Sequence, residues 1–166
     1  MWGWADTSAL QMDIRRYQTT DHHEVIKLHY GALEALQTDA NPGPGPWDDD
    51  LQQIEDVYLV PRGEFLVGFE DGQLVAMGAL RPIDETRGEI KRMRVDPKHW
   101  RRGFGQAILT ALEGHARMLG YGILHLDTTI YQQAAMSLYE KNGYDQVGRG
   151  RIREFDVILY EKHLEA

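Results

Sequence analysis

The chain has 166 residues, of which 42% are hydrophobic and 27% are charged, and this is enough to bury the core of one globular domain. A formal net charge of −8 argues against a broadly basic surface of the kind that binds nucleic-acid backbones. The absence of cysteine excludes disulfides, thiolate nucleophiles and cysteine-ligated metals, and it suits a cytoplasmic location.

The two parts of the chain differ in pattern. Residues 1–11 have no regular apolar period and no leader-like apolar segment, so we expect a mobile N-terminal extension. Periodic sequence begins at Met12, and residues 12–166 are predicted to form a single domain. The longest apolar stretch, residues 74–80, is much shorter than the roughly twenty residues of a membrane span, so we expect no membrane partner.

The order of elements predicts an α/β domain with a mixed sheet. Apolar residues at helical spacing indicate helices, short alternating runs indicate strands, and Asp71-Gly72 is typical of a tight hairpin turn. The predicted elements, in chain order, are a strand at 13–17, a helix at 21–36, a loop at 41–46, a helix at 48–60, strands at 64–70, 73–82 and 88–95, a helix at 105–119, a strand at 122–127, a helix at 132–141, and strands at 144–147 and 155–160.

The strand at 88–95 has an irregular apolar period. Strict alternation would place Ile90 on one face with residues 92 and 94, yet the next apolar residues are Met93 and Val95. One extra residue produces such a slip, and bulges of this kind are frequent beside active sites. We therefore predict a β-bulge between residues 90 and 93.

A basic, glycine-spaced turn follows this strand and leads into a helix. Six of the eighteen basic residues fall between positions 91 and 102, next to Gly103 and Gly105. A helix N-terminus with free backbone N–H groups and nearby arginines favours a phosphate or pyrophosphate. The third glycine of a dinucleotide fingerprint and the Gly-Lys-Ser/Thr of a P-loop are both missing. The alternative is an ordinary tight turn with solvated arginines.

Two segments together resemble the signatures of the GCN5-related N-acetyltransferase family. The first is EIKRMRV at 89–95 followed by RRGFG at 101–105, and the second is QQAAMSLYEKNGY at 132–144. The resemblance covers residues 12 to about 160. It implies the fold of that family, with about seven strands, four helices and a V-shaped splay after the fourth strand.

The resemblance also implies acetyl-CoA as the cofactor. Two positions depart from the family pattern, since Trp100 replaces a glutamine or arginine and Gln132 replaces a frequent asparagine. The residues that the resemblance assigns to coenzyme A binding are Met93, Arg94, Val95, Arg101, Arg102, Gly103, Phe104, Gly105, Gln106, Thr128, Gln132 and Ala135.

Acetyl transfer to an amine needs a proton donor for the leaving thiolate and an acceptor for the amine proton. By its place in the second signature, Tyr139 is predicted to be the general acid; the alternative is a core tyrosine on an apolar helix face. Glu89 lies where some family members carry a general base; the alternative is an ion pair with Lys91 or with an arginine of a neighbouring strand.

The acceptor site of the family lies between the first two helices and the last hairpin. Asp48 and Asp49, in an acidic run, would attract a cationic amine, unless they only form a solvated helix N-terminus. Arg151 and its neighbours Arg149 and Arg153 would hold a carboxylate. We expect a small amine, with an amino-acid-like molecule among the candidates, no nucleic-acid partner, and an oligomeric state in which a homodimer is left open.

Three functions remain open from the sequence. The first is an acetyl-CoA-dependent amine N-acetyltransferase that acts by direct attack in a ternary complex. The second is a noncatalytic module of the same fold that binds or senses acyl-CoA, and the third is a domain for a different phosphate ligand. The seven histidines are scattered without metal-ligand spacing, so no metal site is predicted.

Overall fold

The computed structural model describes residues 12–36 and 43–165. The extension predicted at 1–11 and the first two residues of the loop predicted at 41–46 lie outside the described residues. The strands are β1 (Asp13–Arg16), β2 (Glu64–Glu70), β3 (Gln73–Pro82), β4 (Arg87–Val95), β5 (Ile123–Thr129), β6 (Asp145–Ile152) and β7 (Phe155–His163), and the α-helices are α1 (His22–Ala35), α2 (Phe104–Met118) and α3 (Gln133–Lys141).

All seven strands belong to one sheet in the order β1-β2-β3-β4-β5-β7-β6. Neighbouring strands are antiparallel except for β4 and β5, which are parallel. The predicted mixed sheet is therefore confirmed. The predicted hairpin is also confirmed, because Asp71 and Gly72 both have positive φ and join the paired residues Glu70 and Gln73.

Apolar residues bury each face of the sheet against different helices. On one face, Ile108, Leu109 and Leu112 of α2 pack with Ile90 and Leu124 of the central strands. On the other face, the core is completed by α1 and the segment after it; its members include Val25, Leu28, Leu51, Tyr58 and Phe65. The sheet thus separates the α1 side of the molecule from the α2 side.

The helix predicted at 48–60 is helical but is not an α-helix. Residues Pro46–Gln52 form a 3₁₀ helix and Glu55–Leu59 form one turn of π-helix, and Gln53 between them is not helical, with a φ of −137° and a ψ of 43°. Apolar residues still point inward at helical spacing, with Leu51, Ile54 and Tyr58 buried. The prediction of a regular second α-helix is wrong. Tertiary contacts of Asp48 and Asp50, described below, hold residues 46–52 in the 3₁₀ form, which is tighter than an α-helix.

The last hairpin is longer than predicted. β6 extends over eight residues, where the sequence indicated only 144–147. It lies at the edge of the sheet and pairs only with β7, and seven of its eight residues are exposed. An exposed edge strand has no buried face, so its sequence lacks the apolar alternation on which the prediction depended.

The predicted bulge occurs in β4. Met77 pairs with Arg94 and Ala79 pairs with Lys91, so two residues of β4 lie opposite the single residue between Met77 and Ala79. Arg92, one of those two residues, has a left-handed φ of 59°. Beyond the bulge, the apolar residues 93 and 95 return to the α2 side, and the arginines at 92 and 94 lie on the α1 side.

The parallel pairing of β4 with β5 ends just before the bulge. Three residue pairs are formed, and the last joins Glu89 to His125. The two strands then diverge, which gives the V-shaped splay that the resemblance implied. In the described ranges, we find no helix that has both the length and the apolar character to cross a bilayer.

Gly63 offers a test of the packing at the start of β2. A Cβ atom at this position would lie 2.3 Å from the carbonyl oxygens of both Leu80 and Tyr58, which are backbone atoms without freedom to move away. We expect Gly63→Ala to lower the free energy of unfolding by about 1–3 kcal/mol in urea denaturation. Gly114→Ala is the control, because this α2 position has open space and should gain about 0.5–1 kcal/mol. Equal stability of the two variants would contradict the expected clash.

Candidate active site

The splay between β4 and β5 opens a cleft of about 820 Å³. Its walls come from α1, from the turn before α2, and from the beginning of α3. The cleft collects most of the residues selected from the sequence: Met93, Arg94, Val95, Arg101, Gly103, Phe104, Gly105, Gln106, Thr128, Gln132, Ala135 and Tyr139.

Five of the selected residues lie outside the cleft lining. The guanidinium of Arg102 donates to Glu70 at 2.9 Å, and Arg151 is exposed and donates to the Glu154 carbonyl at 3.4 Å. Asp49 is exposed, whereas Asp48 is buried. The fifth, Glu89, accepts a 2.7 Å hydrogen bond from Arg81 Nε, which is the ion pair with a neighbouring strand that the sequence offered as the alternative.

The turn before α2 has the form of an anion cradle. Arg101 and Gly103 both have left-handed φ angles, of 65° and 84°, and Gly103 is the N-terminal cap of α2. The first turn of a helix leaves its backbone N–H groups without intrahelical acceptors, and the helix dipole favours negative charge there. This donor set at the mouth of the cleft fits the pyrophosphate of coenzyme A.

The two departures from the family pattern have clear positions. The indole Nε1 of Trp100 donates to the carbonyl oxygen of Val95 at 2.8 Å and so fastens the cradle to the end of β4. Gln132 caps α3 and lines the cleft, where its amide can reach a ligand. Gln106 exchanges two 2.8 Å hydrogen bonds with Asn142, which connects α2 to the end of α3.

Tyr139 lies at the inner part of the cleft. Its ring is buried against Tyr144 and Tyr160, with centroids 5.7 and 6.2 Å away, and its hydroxyl has no hydrogen-bond partner among the described residues. Burial raises the pKa of Tyr139 to about 12, opposed by the positive charge of Arg94. The phenol therefore keeps its proton at neutral pH and is available as a donor.

Arg92 joins the bulge to the segment that follows α1. It donates to Asp48 at 3.1 Å and makes two bonds with Asp50, at 2.5 and 2.9 Å. Tyr58 also donates to Asp50. Burial would raise the pKa of Asp50, but the hydrogen bond and charge of Arg92 outweigh it, so the pKa is lowered and the carboxylate stays ionised. These contacts impose the 3₁₀ form on residues 46–52.

A second chain of contacts leads from Asp48 into the cleft. His29 is completely buried, with Nε2 3.1 Å from Asp48 Oδ1 and Nδ1 3.4 Å from Arg94 Nε. Burial and the nearby Arg94 lower the pKa of His29 to about 4, so the ring is neutral. A neutral ring in this position donates from Nε2 to the carboxylate and accepts at Nδ1 from Arg94. Asp48 thus orients His29, and His29 orients Arg94.

Asp127 is a cleft carboxylate that the sequence reasoning did not select. It lies on β5 on the same face as His125, two residues beyond the last pair with β4. Burial raises its pKa, Lys91 opposes this rise, and the charge of Glu89 adds to it. It has no ion-pair partner within 4 Å in the described part of the chain. The regular alternation of 123–129 was the available signal for its direction into the splay.

The described residues contain no cluster of histidine, aspartate and glutamate that would hold a metal ion. What the arrangement offers instead is a donor-rich turn at one end of a cleft, a protonated phenol inside it, and a carboxylate of raised pKa on the opposite strand. These are the groups that an acyl transfer to an amine requires.

Comparisons with known proteins agree with this arrangement. Residues 30–144 match the family model described as "Acetyltransferase (GNAT) family". Human N-acetyltransferase 8 is 32% identical over 106 residues, which are 60% of this chain and 47% of the human protein. An IAA acetyltransferase of Azospirillum brasilense is 36% identical over 107 residues, covering 60% of this chain and 70% of that protein. The chain thus spans about half the length of its human relative.

Solved structures share the fold. An acetyltransferase from Streptococcus agalactiae has a TM-score of 0.81 at 23% identity, covering 93% of this chain and 99% of that one. A putative acetyltransferase from Salmonella typhimurium, solved with acetyl-CoA, has a TM-score of 0.77 at 20% identity and covers 94% and 95% of the two chains.

The family match extends over more than half of the chain and runs from α1 through the cradle to the end of α3. Acetyl-CoA is the cofactor of that family, as the sequence predicted. By its sequence, its mixed seven-stranded sheet and the cleft at the splay of β4 and β5, this chain belongs to the GNAT family of acetyltransferases.

Proposed function

We propose that this protein transfers the acetyl group of acetyl-CoA to the primary amine of a small molecule, by direct attack within a ternary complex. The observation that carries the proposal is Tyr139, whose protonated phenol has no hydrogen-bond partner among the residues the structure describes and faces a cleft that begins at an anion cradle. Bound acetyl-CoA would supply an activated acetyl thioester.

The cradle would hold the pyrophosphate through backbone N–H groups of the turn and of the first turn of α2. Arg101 lines the cleft and would add charge, and Arg102 is close enough to support the cradle through its contact with the ring of Phe104, 4.8 Å away. The backbone of Met93 and Val95, together with Thr128, Gln132 and Ala135, would line the path of the pantetheine arm. A backbone amide at the bulge would face the thioester oxygen, where negative charge develops.

The reaction needs three proton movements, because the acceptor nitrogen loses one proton before the attack and one after it, and the leaving sulfur gains one. The attacking amine must first lose the proton of its ammonium form, and we assign this proton to Asp127, whose raised pKa suits a base better than an ordinary aspartate. Glu89, the base expected from the resemblance, is paired with Arg81 and would act through water if it acts at all. The leaving sulfur then receives a hydrogen bond and a proton from the Tyr139 hydroxyl. The second proton of the attacking nitrogen would return to the resulting phenolate as the amide forms.

Amine specificity, location and assembly are also part of the proposal. The acceptor is a small molecule, without a nucleic-acid partner, because the overall charge of −8 does not favour polyanions. Asp48 would affect acceptor binding indirectly, through its contacts with His29 and Arg92. Asp49 and Arg151 are exposed and would contact the acceptor only at the rim of the cleft. The absence of cysteine favours the cytoplasmic location, and whether the chain forms a homodimer is left open.

Tyr139→Phe tests the role of the phenol. We expect the variant to lose about 10²- to 10⁴-fold in kcat, since it removes a proton donor, and to bind coenzyme A with unchanged affinity in calorimetry. The assay measures release of the coenzyme A thiol in the presence of a panel of amines.

Tyr144→Phe is the matched control, because the buried Tyr144 hydroxyl has no hydrogen-bond partner within residues 12–36 and 43–165 and lies outside the cleft lining. Its loss should leave kcat unchanged. Full activity of Tyr139→Phe would remove this residue from the mechanism. Tight coenzyme A binding without turnover of any amine would instead favour the noncatalytic module.

Asp127→Asn and Glu89→Gln distinguish the two candidate bases. Because the base must be ionised, the wild-type rate should rise with pH through the pKa of Asp127, which is above the ordinary value for aspartate. We expect Asp127→Asn to lower kcat by about 10²-fold and to abolish the rise of kcat with pH. Glu89→Gln should keep this rise, and its kcat should stay within about tenfold of the wild-type value. Profiles of kcat against pH measure the effect. The reverse pattern would identify Glu89 as the base.

A further inference from the structure

Arg92 and Arg94 lie on the α1 side of the sheet at the bulge, and they differ in their contacts with carboxylates. Arg92 makes direct contacts with both nearby carboxylates, those of Asp48 and Asp50. Arg94 makes none, because no carboxylate lies within 4 Å of it among the described residues. Its hydrogen bonds are to neutral groups, the Met93 carbonyl at 2.9 Å and His29 Nδ1 at 3.4 Å.

The lack of an anion beside Arg94 is unusual for a cation in this position. Burial and the charge of Arg92 lower the pKa of Arg94 to about 10, so it remains charged at neutral pH. A charge removed from water is costly unless it is paired, and the carboxylate oxygens close by are already used by Arg92, His29, Tyr30 and Tyr58. Its Nη2 atom has no hydrogen-bond partner in the described residues, and Arg94 lines the cleft.

Coenzyme A would not supply the missing anion at this place. Its charged groups are phosphates, which the cradle before α2 would hold on the other side of the sheet. The pantetheine arm that would pass the bulge is uncharged. Arg94 contacts His29 of α1, and α1 contributes Ala32 and Leu36 to the same wall of the cleft. An anion beside Arg94 would therefore belong to the acceptor.

Asp127 gives the cleft the opposite charge on its other wall. It lies on β5, across the splay from β4, and it also lacks an ion-pair partner within 4 Å in the described ranges. Tyr139 lies within electrostatic reach of both Arg94 and Asp127. Lys91 of β4 is a further cation that lines the cleft, and its charge interacts with those of Glu89 and Asp127.

We propose that the acceptor is an α-amino acid or a similar amino carboxylate, whose carboxylate binds Arg94 while its amine faces Asp127. This proposal rests on the acetyltransferase function proposed above and names its substrate class. His29 is a positioning residue for this contact, because it accepts a hydrogen bond from the Arg94 guanidinium. Asp48 is a second one, because it orients the His29 ring. The arginines of the last hairpin are less suited to bind this carboxylate. The guanidinium of Arg153 stacks 3.7 Å from the centre of the Trp47 ring, and Arg151 is exposed.

The test compares matched acceptors that differ only in the anion. Thiol release is measured for the common α-amino acids, for their carboxamides and for the decarboxylated amines. We expect the wild type to prefer at least one acid over its carboxamide by about 10- to 100-fold in kcat/KM, the value of a charge-assisted contact. Arg94→Gln should remove this preference, mainly through KM, and Arg94→Lys should retain part of it.

Binding provides a readout that is independent of turnover. In calorimetry with protein saturated with coenzyme A, the preferred amino acid should bind to the wild type and not to Arg94→Gln. Arg87→Gln is the control from the same strand, because Arg87 is half-exposed and pairs with Glu161 away from the cleft. It should keep the wild-type preference.

Several outcomes would overturn the proposal while the acetyltransferase function stands. They are equal or better use of carboxamides and amines by the wild type, an equal fall of kcat for all acceptors in Arg94→Gln, and loss of the preference in Arg151→Gln instead of Arg94→Gln. If the wild type acetylates no amine of the panel, the proposed function fails, and the substrate class fails with it.

Discussion

The extra residue in β4 is the constraint on which the site depends. A strand presents alternate residues to opposite faces, so one inserted residue exchanges the faces of everything that follows. Before the bulge, the apolar Ile90 faces α2. After the bulge, the apolar Met93 faces α2, and Arg92 and Arg94 face α1. A regular strand would place two guanidinium groups in an apolar core and two apolar side chains on the α1 face. The bulge also marks where β4 leaves β5 and the cleft begins.

Arg92 makes the bulge a rigid part of the structure. A left-handed φ in a non-glycine residue costs energy of its own, and a partly buried guanidinium costs more. Both costs are offset by the contacts with Asp48 and Asp50, which in turn fix the segment after α1. Because Asp48 also contacts His29, the position of Arg94 is determined by the same network. Backbone geometry, helix form and the charge of the cleft are therefore coupled.

The sequence predicted the features that depend on local pattern. The bulge followed from a slip of the apolar period, the hairpin from Asp71-Gly72, and many of the residues that line the cleft from two short signatures. The turn of α2 and the second signature lie close together in the structure, as the resemblance implied. Each of these features is carried by one continuous stretch of fewer than about twenty residues, where spacing has a direct geometric meaning.

The features that the sequence did not predict depend on distant partners. Arg94 and His29 are 65 positions apart, and Arg92 and Asp50 are 42 positions apart. No local rule indicates that Arg92 takes the carboxylates and Arg94 does not. The segment predicted as a helix at 48–60 consists of 3₁₀ and π turns, although Leu51, Ile54 and Tyr58 are still buried at helical spacing. The predicted strand at 144–147 is shorter than the observed β6, because an exposed strand has no apolar alternation that would indicate its full length.

The network around Arg92 also divides the cleft by its response to ionic strength. Arg101 and Arg102, at the cradle, are exposed to solvent, where mobile ions screen charges over about 8–10 Å. Arg94 and the carboxylates behind it are withdrawn from those ions by α1 and by the 3₁₀ segment. Added salt would thus weaken attraction at the phosphate end and leave the α1 end nearly unchanged, so the two halves of one continuous cleft behave as different electrostatic environments.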